Sequence, residues 1–328
     1  MIPLRTVATG LVAGLAIAAT APAAAQGAAA PWPTKPIRLV VGFPAGGPTD
    51  VVARTIAQRL GEILGQTIVV DNRPGAAGNL GAELVVKSAP DGYTMLLGTV
   101  ATTIAPAIYK DLRYHVQRDL APVSLVAATP FVVAVNPALP ASNIKEFIAL
   151  LKAQPGKHTC SSSGNGSPIH LACEIFKSMA GVQLTHVPYS GSVPALAAVA
   201  GGHVSVMFET INTAMPMIRG NRVKGLAVAA KQRFGGAPEM PTVDESGIPG
   251  YEANTWSGLF VPAQTPKAVI ARIHEATVAA LKTPEVGQRL AQSGAEPVGN
   301  TPEQFAAIIR ADLAKWAKAV KESGAKID

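Results

Sequence analysis

The sequence predicts an α/β protein with mainly parallel sheets, arranged in two lobes. Apolar, β-branched runs alternate with segments of helical periodicity along the whole chain, and short turns join them. Without its predicted leader the chain keeps roughly 300 residues, which is more than one hydrophobic core usually organises. These two observations, alternation and length, define the expected architecture.

The first 25 residues have the features of a cleavable secretory signal. Arg5 precedes a short apolar stretch, and the small residues 23–25 follow it. The alternative, an anchor helix, needs roughly 20 apolar residues, and this stretch is shorter. We therefore expect cleavage after Ala25 and an exported, periplasmic protein with no later membrane-spanning segment.

Taken in chain order, each predicted strand is a short run rich in aliphatic, β-branched or aromatic residues. Strands are expected at 37–42, 67–71, 94–98, 122–126, 131–135, 157–161, 184–187, 204–208, 223–229 and 257–261. The segments between them show apolar residues at helical spacing. Helices are expected at 49–64, 78–88, 102–108, 143–153, 168–180, 192–200, 211–219, 266–282, 284–293 and 302–322.

The last helix has the clearest start signal. Thr301 is a suitable N-cap, Pro302 suits the first helical position, and Glu303 follows. Its apolar stripe is interpreted as core packing and comprises Phe305, Ile308, Ile309, Leu313, Trp316 and Val320.

Two proline-containing joints, at 128–130 and 247–250, are where we expect the chain to pass between lobes. The predicted signal is 1–25, lobe 1 is 26–127 together with 252–328, and lobe 2 is 128–251.

Composition argues against nucleic acid as a partner. The formal net charge is +7, but only 15% of residues are charged and 5% are aromatic. No cluster of five or more Lys and Arg occurs, and basic residues are not interleaved with aromatic ones. The basic balance therefore indicates general solubility with a mild attraction for anions.

The two cysteines allow two interpretations. Cys160 is expected at a strand end and Cys173 in the following helix. An oxidising compartment permits a disulfide between them, and two buried thiols are equally compatible with the sequence.

The loop at 43–50 is the most informative local feature. An apolar strand leads into a Pro/Gly loop, and a helix begins at Thr49 and Asp50, so free N–H groups and a positive dipole end meet at one point. Neither a dinucleotide fingerprint nor a P-loop is present. The simpler alternative is a structural turn. Asp50 is expected to cap the helix, fix the loop, or meet a ligand amine or water.

Three further segments join a strand to a helix in the same way. The loop at 160–168 offers several hydroxyls and an amide, and His170 follows it. The loop at 187–194 contains Tyr189, placed to close over a ligand, and Glu209 and Thr210 end the strand after it. The alternative for the loop at 160–168 is a plain polar linker.

Patterns for catalysis and metal binding are missing. The sequence has no G-x-S-x-G or H-E-x-x-H motif, its six histidines show no i,i+4 pair, and two cysteines cannot build a zinc cage. We therefore expect no catalytic residue, no metal and no cofactor. The enzyme alternative is a secreted hydrolase that uses Ser162, Ser163 or Ser167 with His170.

Several motifs together resemble one family across essentially the whole mature chain. They are FPAGGPTDVVAR (43–54), DNRPGAAGNLGAELV (71–85), APDGYTMLLGT (89–99), SSSGNGSPIHLA (161–172), HVPYSGSVPAL (186–196), PTVDESGIPGYE (241–252) and GAEPVGNTPEQF (294–305). In these segments the chain resembles the Bug family, the extracytoplasmic solute receptors of tripartite tricarboxylate transporters.

The resemblance implies a two-lobed, type II-like periplasmic-binding clamshell, in which loop amides and hydroxyls hold a small organic carboxylate. It further implies a monomer that serves a membrane permease; a ligand-sensing adaptor is the alternative. One implied wall comprises Ala45, Gly46, Gly47, Thr49, Asp50, Thr99 and Thr102. The other comprises Ser163, Asn165, Ser167, His170, Tyr189, Ser190 and Gly191, with Glu209 on the far side. Family members usually carry Asp and Asn where Glu209 and Thr210 stand here.

Overall fold

The computed structural model describes residues 32–323, and the residues from Pro33 onward form one compact unit. The predicted signal at 1–25 lies outside the described residues. In chain order the strands are β1 (Ile37–Val41), β2 (Ile68–Asn72), β3 (Thr94–Thr99), β4 (Leu120–Val135), β5 (Thr159–Ser162), β6 (Thr185–Pro188), β7 (Val206–Thr210), β8 (Lys224–Val228), β9 (Asn254–Pro262) and β10 (Glu296–Pro297).

Helices alternate with these strands, which confirms the α/β class. They are α1 (Pro48–Leu64), α2 (Asn79–Val86), α3 (Ala101–Ile108), α4 (Val116–Asp119), α5 (Ile144–Ala153), α6 (Pro168–Ala180), α7 (Ser192–Ala200), α8 (Ile211–Arg219), α9 (Lys267–Leu281), α10 (Pro284–Gln292) and α11 (Pro302–Ser323). A 3₁₀ turn spans Ala76–Gly78.

The sheet follows the order β2-β1-β3-β9-β4-β7-β5-β6, and β8 and β10 also pair with β4. Pairs β1–β2, β1–β3, β5–β6 and β5–β7 are parallel, whereas every pairing of β4 and β9 is antiparallel. The expectation of mainly parallel sheets therefore needs a correction at the centre. The outer strands are joined by the helical crossovers that parallel pairing requires, while β4 leads into the second half of the chain and β9 returns from it.

Strand β4 is one continuous strand of 16 residues. This corrects the prediction of two strands at 122–126 and 131–135 with a joint between them. A residue before proline is held in the extended region, so Pro130 does not interrupt the strand. Its missing N–H falls where β4 changes partner, between the pairs Pro130↔Asn254 and Phe131↔Thr210.

Two large apolar clusters lie on either side of this partner change. One contains the packed rings of Phe147, Phe176, Phe208 and Tyr251. The other contains the rings of Trp256, Phe260, Phe305 and Trp316. In α11 the side chains of Phe305, Ile309, Trp316 and Val320 are buried, as the predicted core stripe requires.

The structure pairs Cys160 of β5 with Cys173 of α6 as a disulfide. Both residues are fully buried. Of the two interpretations that the sequence allowed, the structure contains the cross-link. The lobe boundaries at 127/128 and 251/252 stay a prediction.

Candidate functional site

A cavity of about 810 Å³ lies where the carboxyl ends of β1, β3, β5 and β7 meet. Loops at this edge of an α/β sheet are the usual place for a ligand. The residues after β1 and β3 supply one wall, and those after β5 and β7 supply the other. Four helices, α1, α3, α6 and α8, begin at or next to lining residues.

The loop after β1 is shaped by the buried carboxylate of Asp50. Asp50 Oδ2 accepts hydrogen bonds from Gly46 N at 2.8 Å and from Arg54 Nε at 2.9 Å. Asn72 Nδ2 donates to Asp50 Oδ1 and to the Phe43 carbonyl oxygen, each at 3.0 Å. These bonds fix the loop at both of its ends. Asp50 itself does not line the cavity.

The charge of Asp50 is retained by the same contacts. Burial by itself raises the pKa of the Asp50 carboxyl, but the hydrogen bonds from Arg54 and two neighbours outweigh it, and the pKa lies below its usual value. The carboxylate is thus neutralised within the wall, so it presents little negative charge to the cavity.

The loop after β5 is held by two histidines behind it. Gly166 N donates to His170 Nδ1 at 3.1 Å, so this nitrogen carries no proton. The His186 ring stacks on the His170 ring at 3.6 Å, and its Nε2 lies 2.7 Å from Ser162 Oγ. Ser162 Oγ in turn accepts from Gly164 N at 3.1 Å. Both glycines line the cavity, so the imidazoles support the loop.

These histidines belong to a small buried polar cluster. Burial, and then the neighbouring His170, lower the pKa of His186 to about 4. His170 Nε2 lies 3.5 Å from Glu174 Oε1, and Lys177 Nζ lies 2.7 Å from Glu174 Oε2. Burial raises the pKa of Glu174, and the hydrogen bonds from His170 and Lys177 outweigh it, so that the pKa is lowered.

Glu209 lies behind Thr210 at the end of β7. Its Oε1 accepts hydrogen bonds from both the amide and the hydroxyl of Thr210 at 2.7 Å. Burial raises the pKa of this carboxyl, and the bonds from Thr210 oppose the rise. Of these two residues, Thr210 lines the cavity and Glu209 does not.

The predicted site residues divide into two groups in the structure. Those that line the cavity are Ala45, Gly46, Gly47, Thr49, Thr99, Ser163, Asn165 and Ser167. Those outside the lining are Asp50, Thr102, His170, Tyr189, Ser190, Gly191 and Glu209. Asp50, Thr102, His170 and Glu209 are buried behind the wall, and Tyr189 packs against the apolar cluster of the second half. Their ligand contacts stay predictions.

Sequence reasoning missed the apolar part of the lining. Val100, Ile104 and Ile108 of the α3 segment line the cavity, together with Tyr109 and Thr255. The four-residue spacing on α3 predicts a buried helix face, and a buried face adjoins a cavity as readily as a core. Thr255 comes from β9, far along the chain, so only sheet pairing brings it there.

The hydrolase geometry is not formed. His170 Nδ1 accepts a hydrogen bond from the Gly166 amide, so it does not contact a serine hydroxyl as a base. Ser162 is fully buried, and its hydroxyl contacts His186 rather than His170. Among the described residues no group of three or more His, Cys, Asp or Glu is arranged to hold a metal ion. The described helices include none long and apolar enough to cross a membrane.

Comparison with known proteins decides the family. A family model described as the tripartite tricarboxylate transporter family receptor matches residues 52–325. The chain belongs to this family. Protein BugT of Bordetella pertussis is 36% identical over 311 residues, covering 94% of this chain and 95% of BugT. The resemblance to the Bug family is thereby confirmed.

Solved structures of similar chains confirm the clamshell fold of this receptor. The periplasmic binding protein BugD matches with a TM-score of 0.72 and 34% identity, covering 90% of this chain and 100% of BugD. Rpa4515 of R. palustris, solved with adipate, matches with a TM-score of 0.76 and 34% identity over 90% of this chain and 100% of that chain.

A third structure is MatC (Rpa3494) of Rhodopseudomonas palustris with bound malate. It matches with a TM-score of 0.72 and 33% identity, covering 88% of this chain and 100% of that chain. Tripartite tricarboxylate receptors are solute-binding proteins rather than enzymes, which confirms the expectation of a binding protein.

Proposed function

We propose that this protein is a periplasmic receptor that binds a small organic carboxylate in its cleft and delivers it to the membrane permease of a tripartite tricarboxylate transporter. The observation that carries the proposal is the meeting of four helix N-termini at one cavity with a neutral lining. Unpaired N–H groups and dipole ends at such points favour an anion. The adipate and malate held by similar receptors support the same chemistry.

Hydroxyl groups on both walls can donate hydrogen bonds to a carboxylate. Ser167 Oγ accepts from His170 N at 3.2 Å, and Thr99 Oγ1 accepts from Ala101 N at 3.3 Å. A hydroxyl oxygen that accepts a hydrogen bond from an amide at a helix start can still donate its own O–H to a ligand. Each hydrogen bond to a charged group contributes about 1.5–3 kcal/mol, so a few of them hold a carboxylate without a buried fixed cation.

We further propose that ligand binding closes two lobes, formed by 26–127 with 252–328 and by 128–251. Thr99 belongs to the first of these segments and Ser163 to the second, and both line the cavity. Strands β4 and β9 are two connections between the halves, which supports a hinge at Pro130 and near Asn254. Closure would bring the two sets of donors onto one ligand.

The family supports the location and partners that we propose. We propose that the predicted signal exports the chain, with cleavage near Ala25, and that the receptor acts as a monomer in the periplasm beside the permease. The same cleft suits a receptor that reports to a membrane sensor instead. A pull-down of each membrane partner, with and without a bound carboxylate, separates the two roles.

The test is calorimetry on the mature chain with mono- and dicarboxylates. We expect at least one to bind and to raise the melting temperature, because a ligand bound only by the folded state stabilises it. Asn165→Asp adds a negative charge to the lining and should weaken binding at least tenfold. Asn221→Asp makes the same change on an exposed turn and should leave binding unchanged. Binding by no carboxylate would refute the proposal.

A further inference from the structure

One side of the cleft is an apolar wall. Val100, Ile104 and Ile108 face it from one side of the α3 segment, and Tyr109 extends the wall beyond the helix. From Ala101 to Ile108 a helix rises about 10 Å. The wall thus runs away from the α3 N-terminus, where Thr99 supplies a donor, for a length greater than a carboxyl group needs.

The described lining of the cavity carries no charged side chain. It contains no Arg, Lys, His, Asp or Glu. Asp50 and Glu209 lie behind the wall, and the contacts of Asp50 are satisfied there. An ammonium group would find no carboxylate in the lining, and a carboxyl group attached along the ligand body, rather than at its ends, would lie against Ile104 and Ile108 with no cation beside it. Burying such a charge without a partner is costly.

The size of the cavity agrees with its composition. Pockets that enclose drug-sized ligands measure roughly 300–1,000 Å³, and the cleft, at about 810 Å³, lies in the upper part of this range. A small hydroxy acid would leave much of the apolar wall against water. A ligand with its own apolar surface would cover that wall, and the removal of both apolar surfaces from water would strengthen binding.

We infer that the ligands of this receptor are carboxylates with an extended apolar body, either an aromatic ring or a chain of several methylene groups. This inference rests on the proposed function as a carboxylate receptor. The carboxylate lies among the helix N-termini, and the body lies along Ile104 and Ile108. Amino acids and hydroxy-polycarboxylates are bound more weakly.

The experiment is calorimetry on the mature wild-type chain with ligands of matched charge. Succinate, adipate and octanedioate differ only in methylene number, while malate, citrate and glutamate add hydroxyl, carboxyl or ammonium groups. Each methylene against the wall should strengthen binding about fourfold, so adipate should bind roughly tenfold or more tightly than succinate. Benzoate should bind more tightly than acetate.

The outcomes separate the inference from the proposed function. If malate, citrate or glutamate binds more tightly than every ligand with an apolar body, the inference is wrong and the receptor function stands. If none of these compounds binds, both are wrong. A rise in affinity along the dicarboxylate series, without a comparable gain for malate, supports the inference.

A variant locates the effect on the wall. Ile104→Ala shortens the wall and should reduce the adipate-to-succinate affinity ratio by fivefold or more. Ile309→Ala removes a similarly buried side chain from the same apolar cluster but away from the lining, and should keep the ratio. Ile104→Val serves if the alanine variant does not fold. An unchanged ratio in a folded Ile104 variant would overturn the assignment.

Discussion

Asp50 and His170 have related roles on opposite sides of the cleft. Each is a buried, ionisable residue outside the lining, and each accepts a hydrogen bond from a glycine amide of a lining loop. In this way charged or titratable groups shape a surface that is itself neutral. The sequence pointed to both residues, and for Asp50 the alternative of fixing the loop agrees with its contacts. The partners Arg54 and Asn72 were both missed. The Asn72 contact depends on how β1 and β2 pair, whereas Arg54 lies one turn after Asp50 on α1, so its i,i+4 spacing was a signal in the sequence.

Replacing Asp50 should disturb the first loop. In Asp50→Asn the amide presents one oxygen in place of two, so at least one buried donor loses its partner, at a cost of about 1–3 kcal/mol. We expect this loss in urea unfolding and roughly tenfold weaker carboxylate binding. Glu62→Gln breaks an exposed ion pair with Arg59 on the same helix and should change stability by less than about 1 kcal/mol. Equal behaviour of both variants would exclude a special role for Asp50.

At the scale of elements, local pattern was a reliable guide to existence and type. All the predicted helices form, with ends displaced by at most about two residues, as is usual for helix termini. The misses are short or depend on distant pairing: α4, β10, the 3₁₀ turn and the continuity of β4. A two-residue strand such as β10 has no periodicity of its own. It exists because its residues pair with Ala127 and Ala128.

The contact between the loop after β1 and the 3₁₀ turn requires a glycine. A Cβ atom on Gly42 would lie 2.5 Å from the Cα and 2.7 Å from the carbonyl oxygen of Gly78. These are backbone atoms, so relief would displace the turn and with it the cavity-lining Ala77. Gly42→Ala should therefore lower the free energy of unfolding by at least about 1–3 kcal/mol, measured by urea unfolding. It should also weaken carboxylate binding.

The matched control for this substitution is Gly287→Ala within α10. No atom lies within 4 Å of the position that its Cβ would take. Alanine in a helix interior is favoured over glycine by roughly 0.5–1 kcal/mol, so this variant should gain stability or remain unchanged. Similar losses in the two variants would show that the close approach at Gly42 is unimportant.

At the scale of the whole molecule, long-range and short-range electrostatics are separated. The formal net charge of +7 favours the approach of anions, whereas the described lining of the cleft contains no charged side chain. Salt therefore screens the long-range attraction of anions to the protein. It screens much less the hydrogen bonds and helix dipoles that hold the ligand within the cleft. The candidate loops at 43–50, 160–168 and 187–194 contain no Arg or Lys, which agrees with this neutral lining. The apolar wall was not predicted, because one periodic pattern serves both core and cavity.

Acid should lower the stability of the whole molecule in a window set by His186. Its pKa is about 4 in the folded protein, lowered mainly by burial, against about 6.5 in an unfolded chain. Between these values the unfolded chain binds a proton that the folded protein does not. The stabilisation is therefore complete above pH 6.5 and is lost as the pH falls toward 4, with a slope of at most about 1.4 kcal/mol per pH unit.

Urea unfolding between pH 7 and 4 measures this loss, which we expect to be roughly 1–2 kcal/mol because His186 is only half-buried. His186→Gln keeps a polar group that can hydrogen-bond to Ser162 but does not titrate, so the free energy of unfolding of this variant should fall less steeply with pH. His158, whose pKa is also lowered by burial, titrates in both proteins and cancels in the comparison. Asp50 and Glu174 have lowered pKa values and begin to lose their stabilising charge below about 3.8 and 4.5, at the acid end of this window, in both proteins alike. Identical slopes for the two proteins would therefore mean that the stacked imidazole is not held neutral by the fold.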